Sequence, residues 1–117
     1  MSEQKDDCLF CQIAAGETDT ELIHESSSMV AFRDINPQAP VHILIVPRKH
    51  IPTINDIEKV DIVLVGELVQ KAQEIAEEKE IAEDGYRLIF NCGEHGGQEV
   101  DHLHLHLLGG EQLGSLT

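Results

Sequence analysis

The segment His102-Leu103-His104-Leu105-His106-Leu107-Leu108 alternates imidazole and leucine with a period of two. That period belongs to a strand, whose successive side chains point to opposite faces. Leu103, Leu105 and Leu107 then enter a core while His102, His104 and His106 form a row on the other face. Neighbours in the row stand ~6.6 to 6.8 Å apart along a strand, so adjacent histidines can divide labour around one reacting group. The plain alternative is a polar strand face that carries histidines by chance. A second functional reading is a metal site, because histidines two apart on a strand can reach one ion.

The rest of the chain supplies partners for this strand. Val41 to Val46 is rich in β-branched residues and stops at Pro47, which predicts a largely buried strand with His50 just past its end. Leu22 to Glu25 and Met29 to Arg33 flank the polar Ser26 to Ser28 and read as two strands and a turn. Asp34 to Pro40 carries the turn signals Asn36-Pro37 and Pro40. From Glu58 to about Glu80, Leu64, Leu68, Ala72, Ile75 and Ala76 recur at helical steps, which predicts one long helix of up to ~34 Å. Gly85 turns the chain into a strand over Tyr86 to Asn91, and Gly93, Gly96 and Gly97 make a loop. Cys8 to Ala15 reads as a short helix ended by Gly16. The expectation is an α+β fold: a mainly antiparallel five-stranded sheet, one long helix and a short N-terminal helix. With no repeat and no long linker, residues 1–117 read as a single domain.

Composition narrows the function. Lys plus Arg number 8 against 22 Asp plus Glu, a formal charge of −14, which argues against nonspecific nucleic-acid or anionic-membrane binding. A small anion held by local backbone donors or histidines is still allowed. The apolar runs Ile43 to Val46 and Ile62 to Val65 fall far short of the ~20 residues that span a bilayer. The N-terminal residues lack a basic stretch followed by an apolar one, and the expected location is the cytoplasm. Of the three cysteines, Cys8 and Cys11 form a Cys-x-x-Cys pair suited to metal or redox chemistry, with two buried thiols as the alternative. Cys92 reads as a buried strand residue rather than a nucleophile.

Taken together, several of these motifs resemble one family. The His-x-His-x-His run followed by Leu107-Leu108-Gly109-Gly110, preceded by Asn91-x-Gly93 and Gly96-Gly97-Gln98-x-Val100, resembles the histidine triad superfamily, and within it the Hint branch of histidine triad nucleotide-binding proteins. Ala31 to Pro40 and Val46-Pro47-Arg48-Lys49-His50-Ile51 extend the resemblance, which runs from about Asp7 to Gly110. It implies binding of purine nucleoside monophosphates and hydrolysis of purine nucleoside 5′-phosphoramidates, or of related α-phosphate derivatives such as dinucleoside polyphosphates, through a covalent nucleotidyl-histidine. Two other classes compete with this reading. One is a noncatalytic nucleotide-binding or adaptor protein, and the other is a zinc-centred enzyme using the histidine row as ligands.

By that resemblance His104 is the nucleophile, His106 lies by the phosphoryl oxygens and leaving group, His102 orients its neighbours, and His50 belongs to the same cluster. A neutral imidazole suits the nucleophilic role near pH 7, its reference pKa being ~6.5. Asn91 and the Gly97 backbone match phosphate-contacting positions. Asp34 matches the ribose position, against the simpler reading of an Asx turn before Asn36-Pro37. Leu9, Phe10, Phe32, Ile35 and Leu44 are candidates for the slot around the base, or ordinary core residues. In members with the cysteine pair, Cys8, Cys11, His50 and His102 match the ligands of one structural zinc, and no catalytic metal is expected. Relatives pair through the long helix and the Tyr86 to Asn91 strand. A homodimer is expected here too, because Val60, Val63, Leu64, Val65, Leu68 and Val69 cover more of the helix than packing on one sheet requires.

The chain also departs from the pattern. Glu99 stands where some relatives have serine or threonine near the phosphate, and its carboxylate is expected to turn away. Glu111 follows the double glycine where arginine is usual, and the tail from Leu113 to Thr117 lacks the tryptophan that some Hint proteins bring towards the leaving group.

Overall fold

Alternation along the strands sorts the molecule into two faces. The computed structural model describes residues 7–116. Its strands are β1 (Leu22–Glu25), β2 (Met29–Arg33), β3 (Val41–Pro47), β4 (Tyr86–Phe90) and β5 (Leu105–Gly109), and its α-helices are α1 (Leu9–Ala14) and α2 (Ile62–Glu78). The strands form one sheet in the order β1-β2-β3-β5-β4, with every neighbouring pair antiparallel. Met29, Ala31, Ile43, Ile45, Leu105 and Leu107 pack with Leu68, Ala72, Ile75 and Ala76 of α2. Their even-numbered neighbours Val30, Phe32, Leu44 and Val46 pack instead with Phe10, Cys11, Ile13 and Ala14 of α1. Both faces are therefore covered, and the α1 face is the one that receives the histidines.

Six residues make α1 too short to be stable by helix propensity alone. Burial of Phe10, Cys11, Ile13 and Ala14 holds it, Cys8 caps its start, and Gly16 leaves it at φ +77°. Arg48 then fastens the other end, donating from Nη1 to the Ala14 carbonyl at 2.5 Å and from Nε to the Ser26 carbonyl at 2.6 Å.

Two elements shift by two residues or more from their expected bounds. The long helix begins at Ile62 rather than Glu58 and ends at Glu78, because Lys59–Asp61 forms a 3-10 turn instead. The Asp61 carboxylate sets that turn by accepting from the Glu58 N–H at 3.0 Å and the Lys49 ammonium at 2.7 Å. The hydrogen bond from Lys49 holds the Asp61 carboxyl below its ordinary pKa, which keeps this buried acid charged against the lysine.

The histidine strand is the second change. Its ladder starts at Leu105, so His102 and His104 lie in the approach to β5, and only His106 is within it. The approach is committed elsewhere: the Leu103 N–H donates to the Ile51 carbonyl at 2.6 Å, and the His102 N–H donates to the Val100 carbonyl at 2.8 Å. The expected alternation nevertheless survives, with Leu103, Leu105 and Leu107 all buried in the α2-side core.

Candidate active site

On the α1 face a cavity of about 510 Å³ opens among α1, the β2–β3 turn and the loop joining β4 to β5. His104 and His106 form part of its wall. Their rings lie 5.0 Å apart at 63°, closer than the backbone repeat because the side chains converge.

Fixed backbone donors and acceptors decide the tautomers. A carbonyl can only accept, so the 2.7 Å contact between His104 Nδ1 and the His102 carbonyl places a proton on Nδ1 and leaves Nε2 of neutral His104 bare. The second chain begins at the Gln38 N–H, which donates to His42 Nδ1 at 3.0 Å. His42 must therefore carry its proton on Nε2, and it donates from there to His106 Nδ1 at 2.9 Å. His106 in turn keeps its proton on Nε2. One imidazole thus offers a lone pair and its neighbour offers a donor.

Burial keeps this relay uncharged. It lowers the pKa of His42, opposed by the nearby Asp34, and pushes His106 down to about 4, helped by His104 and His42. Both are neutral near pH 7 as a result. Asp34, His42 and His106 do bring ligand atoms within 4.8 Å of one another. Ligation through His42 Nε2 would require stripping a proton that the Gln38 N–H prevents from moving to Nδ1, so the trio suits hydrogen bonding better than metal binding.

The other end of the cavity is apolar. Phe10, Phe32 and Leu44 are buried and line it, with Phe10 edge-on to Phe32 at 5.6 Å and to His104 at 5.0 Å. These three serve the core and the cavity together. Leu9 and Ile35 stand at its mouth, Ile35 with 91% of its surface exposed, an unusual position for that side chain. Asp34 forms the Asx turn, Oδ1 accepting from the Asn36 N–H at 2.8 Å, while Oδ2 lies 3.5 Å from His42 Nε2 at the cavity wall.

Asn91 and Gly97 line the opposite wall. The Asn91 Nδ2 donates to the Gly96 carbonyl at 2.7 Å, and Gln98 pins the loop through the Gly93 N–H and the Pro52 carbonyl. A side chain at Gly96 would collide with the Cys92 backbone, so only glycine fits this turn. The Gly97 N–H donates to the Glu94 carbonyl at 3.1 Å, and is thus engaged inside the loop.

Behind the cavity, Cys8, Cys11, His50 and His102 bring their ligand atoms within 4.8 Å of one another. The contacts from Sγ to Nδ1 are 3.3 Å for Cys8 to His102, 3.3 Å for Cys11 to His50 and 3.4 Å for Cys11 to His102. A tetrahedral zinc with ordinary bond lengths separates sulfur from nitrogen by about 3.5 Å. His102 Nε2 donates to the Pro47 carbonyl at 2.8 Å, which leaves Nδ1 bare and aimed at the sulfurs. Burial lowers the His102 pKa to about 4, again favouring the neutral ligand form. The donors fit one tetrahedral metal ion.

Residues 7–115 match the family model described as "Scavenger mRNA decapping enzyme C-term binding". The chain is 47% identical over 111 residues to the purine nucleoside phosphoramidase of Escherichia coli (strain K12), an alignment covering 95% of this chain and 93% of that protein. A HIT family hydrolase from Legionella pneumophila Philadelphia 1 superposes with a TM-score of 0.90 at 50% identity, over 92% of this chain and 96% of the other. A histidine triad protein from Clostridium difficile superposes with a TM-score of 0.94 at 42% identity, over 97% and 99%. The chain belongs to the histidine triad family of hydrolases.

Within this histidine triad chain the named histidines divide into two groups. His104 and His106 face the cavity, whereas His102 and His50 face the cysteines and do not line it. Glu99, expected to turn away, is among the residues lining the cavity. His42 was absent from the sequence-derived set. Its signal was parity: it shares a face of β3 with Leu44, which pairs with His106 across β3–β5.

Proposed function

We propose that this protein hydrolyses purine nucleoside 5′-phosphoramidates through a covalent nucleotidyl-histidine at His104. The observation that carries the reading is the pairing of a bare His104 Nε2 with a donating His106 Nε2 in one cavity. In the first step Nε2 of His104 bonds to the α-phosphorus while the phosphorus–nitrogen bond of the substrate breaks. That electron pair takes a proton from solvent, and the amine leaves. His106 donates to a nonbridging oxygen as charge develops, with Asn91 beside it. In the second step water attacks phosphorus, the bond to His104 breaks, and a nucleoside monophosphate departs. The Nδ1 proton, held by the His102 carbonyl, lets the ring return to the same neutral tautomer.

In this reading Asp34 accepts from the ribose hydroxyls, and Phe10, Phe32, Leu44, Leu9 and Ile35, which line the same cavity, enclose the base. Catalysis needs no metal in this scheme. Cys8, Cys11, His50 and His102 hold one structural zinc, which pins α1 to the sheet and leaves no open coordination position. The exposed stripe of Ile62, Val63 and Val69 on α2, close in sequence to Val60, and exposed Leu88 on the edge strand β4 support a homodimer across that face. None of the helices among the described residues is long and apolar enough to cross a membrane.

The direct test is turnover. Incubation with the propylamides of adenosine and guanosine 5′-monophosphate should release the nucleotide and the free amine; a folded protein that releases neither would overturn the proposal.

A further inference from the structure

Charge is distributed unevenly along the cavity. The sheet order places β2, with Asp34 just past its end, and β3, which carries His42, on one side of β5, and β4 with the loop bearing Asn91 and Glu99 on the other. His106 on β5 lies between them. A nucleotide with its ribose at Asp34 and its phosphorus at the histidines therefore directs its leaving group towards the Glu99 loop. Glu99 is exposed and has no hydrogen bond or ion pair among the described residues. Among the described residues Arg33 is the single lysine or arginine lining the cavity, and it lies beside Asp34, 3.4 Å from Glu21.

We propose that Glu99 selects the leaving group by charge, favouring amines that carry a second, cationic group and disfavouring anionic ones, including the polyphosphate of a dinucleoside polyphosphate. This inference rests on the phosphoramidase reading. A free carboxylate on the side of the departing group attracts an ammonium and repels a carboxylate or phosphate, and among the described residues lining the cavity no lysine or arginine other than Arg33 is present to cancel it. The overall charge of −14 acts in the same direction. Glu99 does not touch the reacting atoms in this account; it sets specificity.

Three adenosine 5′-phosphoramidates of short unbranched amines provide the test: those of propylamine, 1,2-diaminoethane and β-alanine. Comparing each amine's kcat/KM between wild type and variants cancels the amine's own reactivity. The propylamide, with no second charge, reports on the phosphoramidase reading alone. If it is hydrolysed, wild type should prefer the diaminoethane compound over the β-alanine compound by about tenfold more than Glu99→Gln does, and Glu99→Lys should reverse the preference. The wild-type preference should shrink between about 20 mM and about 500 mM salt. Good turnover of the propylamide with the same ranking in wild type, Glu99→Gln and Glu99→Lys would overturn the role of Glu99 while sparing the reaction. Failure to hydrolyse the propylamide would overturn both.

Discussion

The carbonyl of His102 accepts the Nδ1 proton of His104 at 2.7 Å, while the imidazole of His102 turns the opposite way, its Nδ1 3.3 Å from Cys8 Sγ. One residue thus joins the cysteine–histidine cluster by its side chain and the cavity histidines by its backbone. His102→Ala keeps the carbonyl and removes the ligand. The variant should lose its zinc and melt at lower temperature, with turnover reduced but still measurable. Elemental analysis, thermal melts and kinetics on the same preparation check the three effects together.

The metal set makes a separable prediction. Protein purified without added zinc or chelator should contain one zinc per chain, and Cys8→Ser with Cys11→Ser should contain none. Loss of a four-ligand site that fastens α1 should lower the melting temperature by about 10 °C or more. Retention of zinc by the double variant would assign the metal to other residues.

His42 was not identifiable from local pattern, although most of the architecture was. The leucine-histidine alternation, the helical recurrence from Leu64 to Ala76 and the β-branched run in β3 each express one periodicity; the helix and β3 contain the residues their periods indicated, whereas the histidine strand begins only at Leu105. The role of His42 depends on β3 lying against β5, a pairing across more than sixty residues that no window of sequence displays. The start of α2 was misplaced for a similar reason. Asp61 is bound by Lys49 from another segment, and that contact favours a tight turn over a further turn of helix. His102 shows the converse limit: the period put its side chain on the correct face but could not reveal that its carbonyl holds His104.

Replacing His42 tests the relay. His42→Phe removes the donor to His106 Nδ1 and frees His106 to reverse its tautomer, turning a bare nitrogen towards the phosphoryl oxygens. Turnover should fall ~10- to 100-fold with nucleoside monophosphate affinity nearly unchanged, whereas His106→Ala should cost ~100- to 1,000-fold as a directly lost donor. Steady-state kinetics and calorimetric titration with adenosine monophosphate separate the two effects.

His106 also predicts an acid sensitivity. Its pKa is about 4 in the folded chain against 6.5 for the free side chain, so between those values the unfolded chain binds the additional proton. Its contribution to stability is complete above about pH 6.5 and is lost progressively as pH falls towards about 4. Melts of wild type and His106→Gln across this range isolate it from the carboxylates. The variant's stability should decline less steeply, by about 1 kcal/mol per pH unit.

The exposed apolar stripe on α2 predicts the assembly. Wild type should scatter light as a dimer at micromolar concentration, and Val63→Asp, which places charge on a side chain 72% exposed in the single chain, should scatter as a monomer. A monomeric wild type would assign that stripe to a different partner.

Rapid-quench trapping with a radiolabelled adenosine 5′-phosphoramidate tests the nucleophile most directly. Wild type should carry label on protein within the first turnover, on a peptide containing His104, and His104→Ala should carry none while still binding adenosine monophosphate. A folded His104→Ala that acquires label, or that turns over within about tenfold of wild type, a difference of only ~1.4 kcal/mol in barrier, would contradict the assignment.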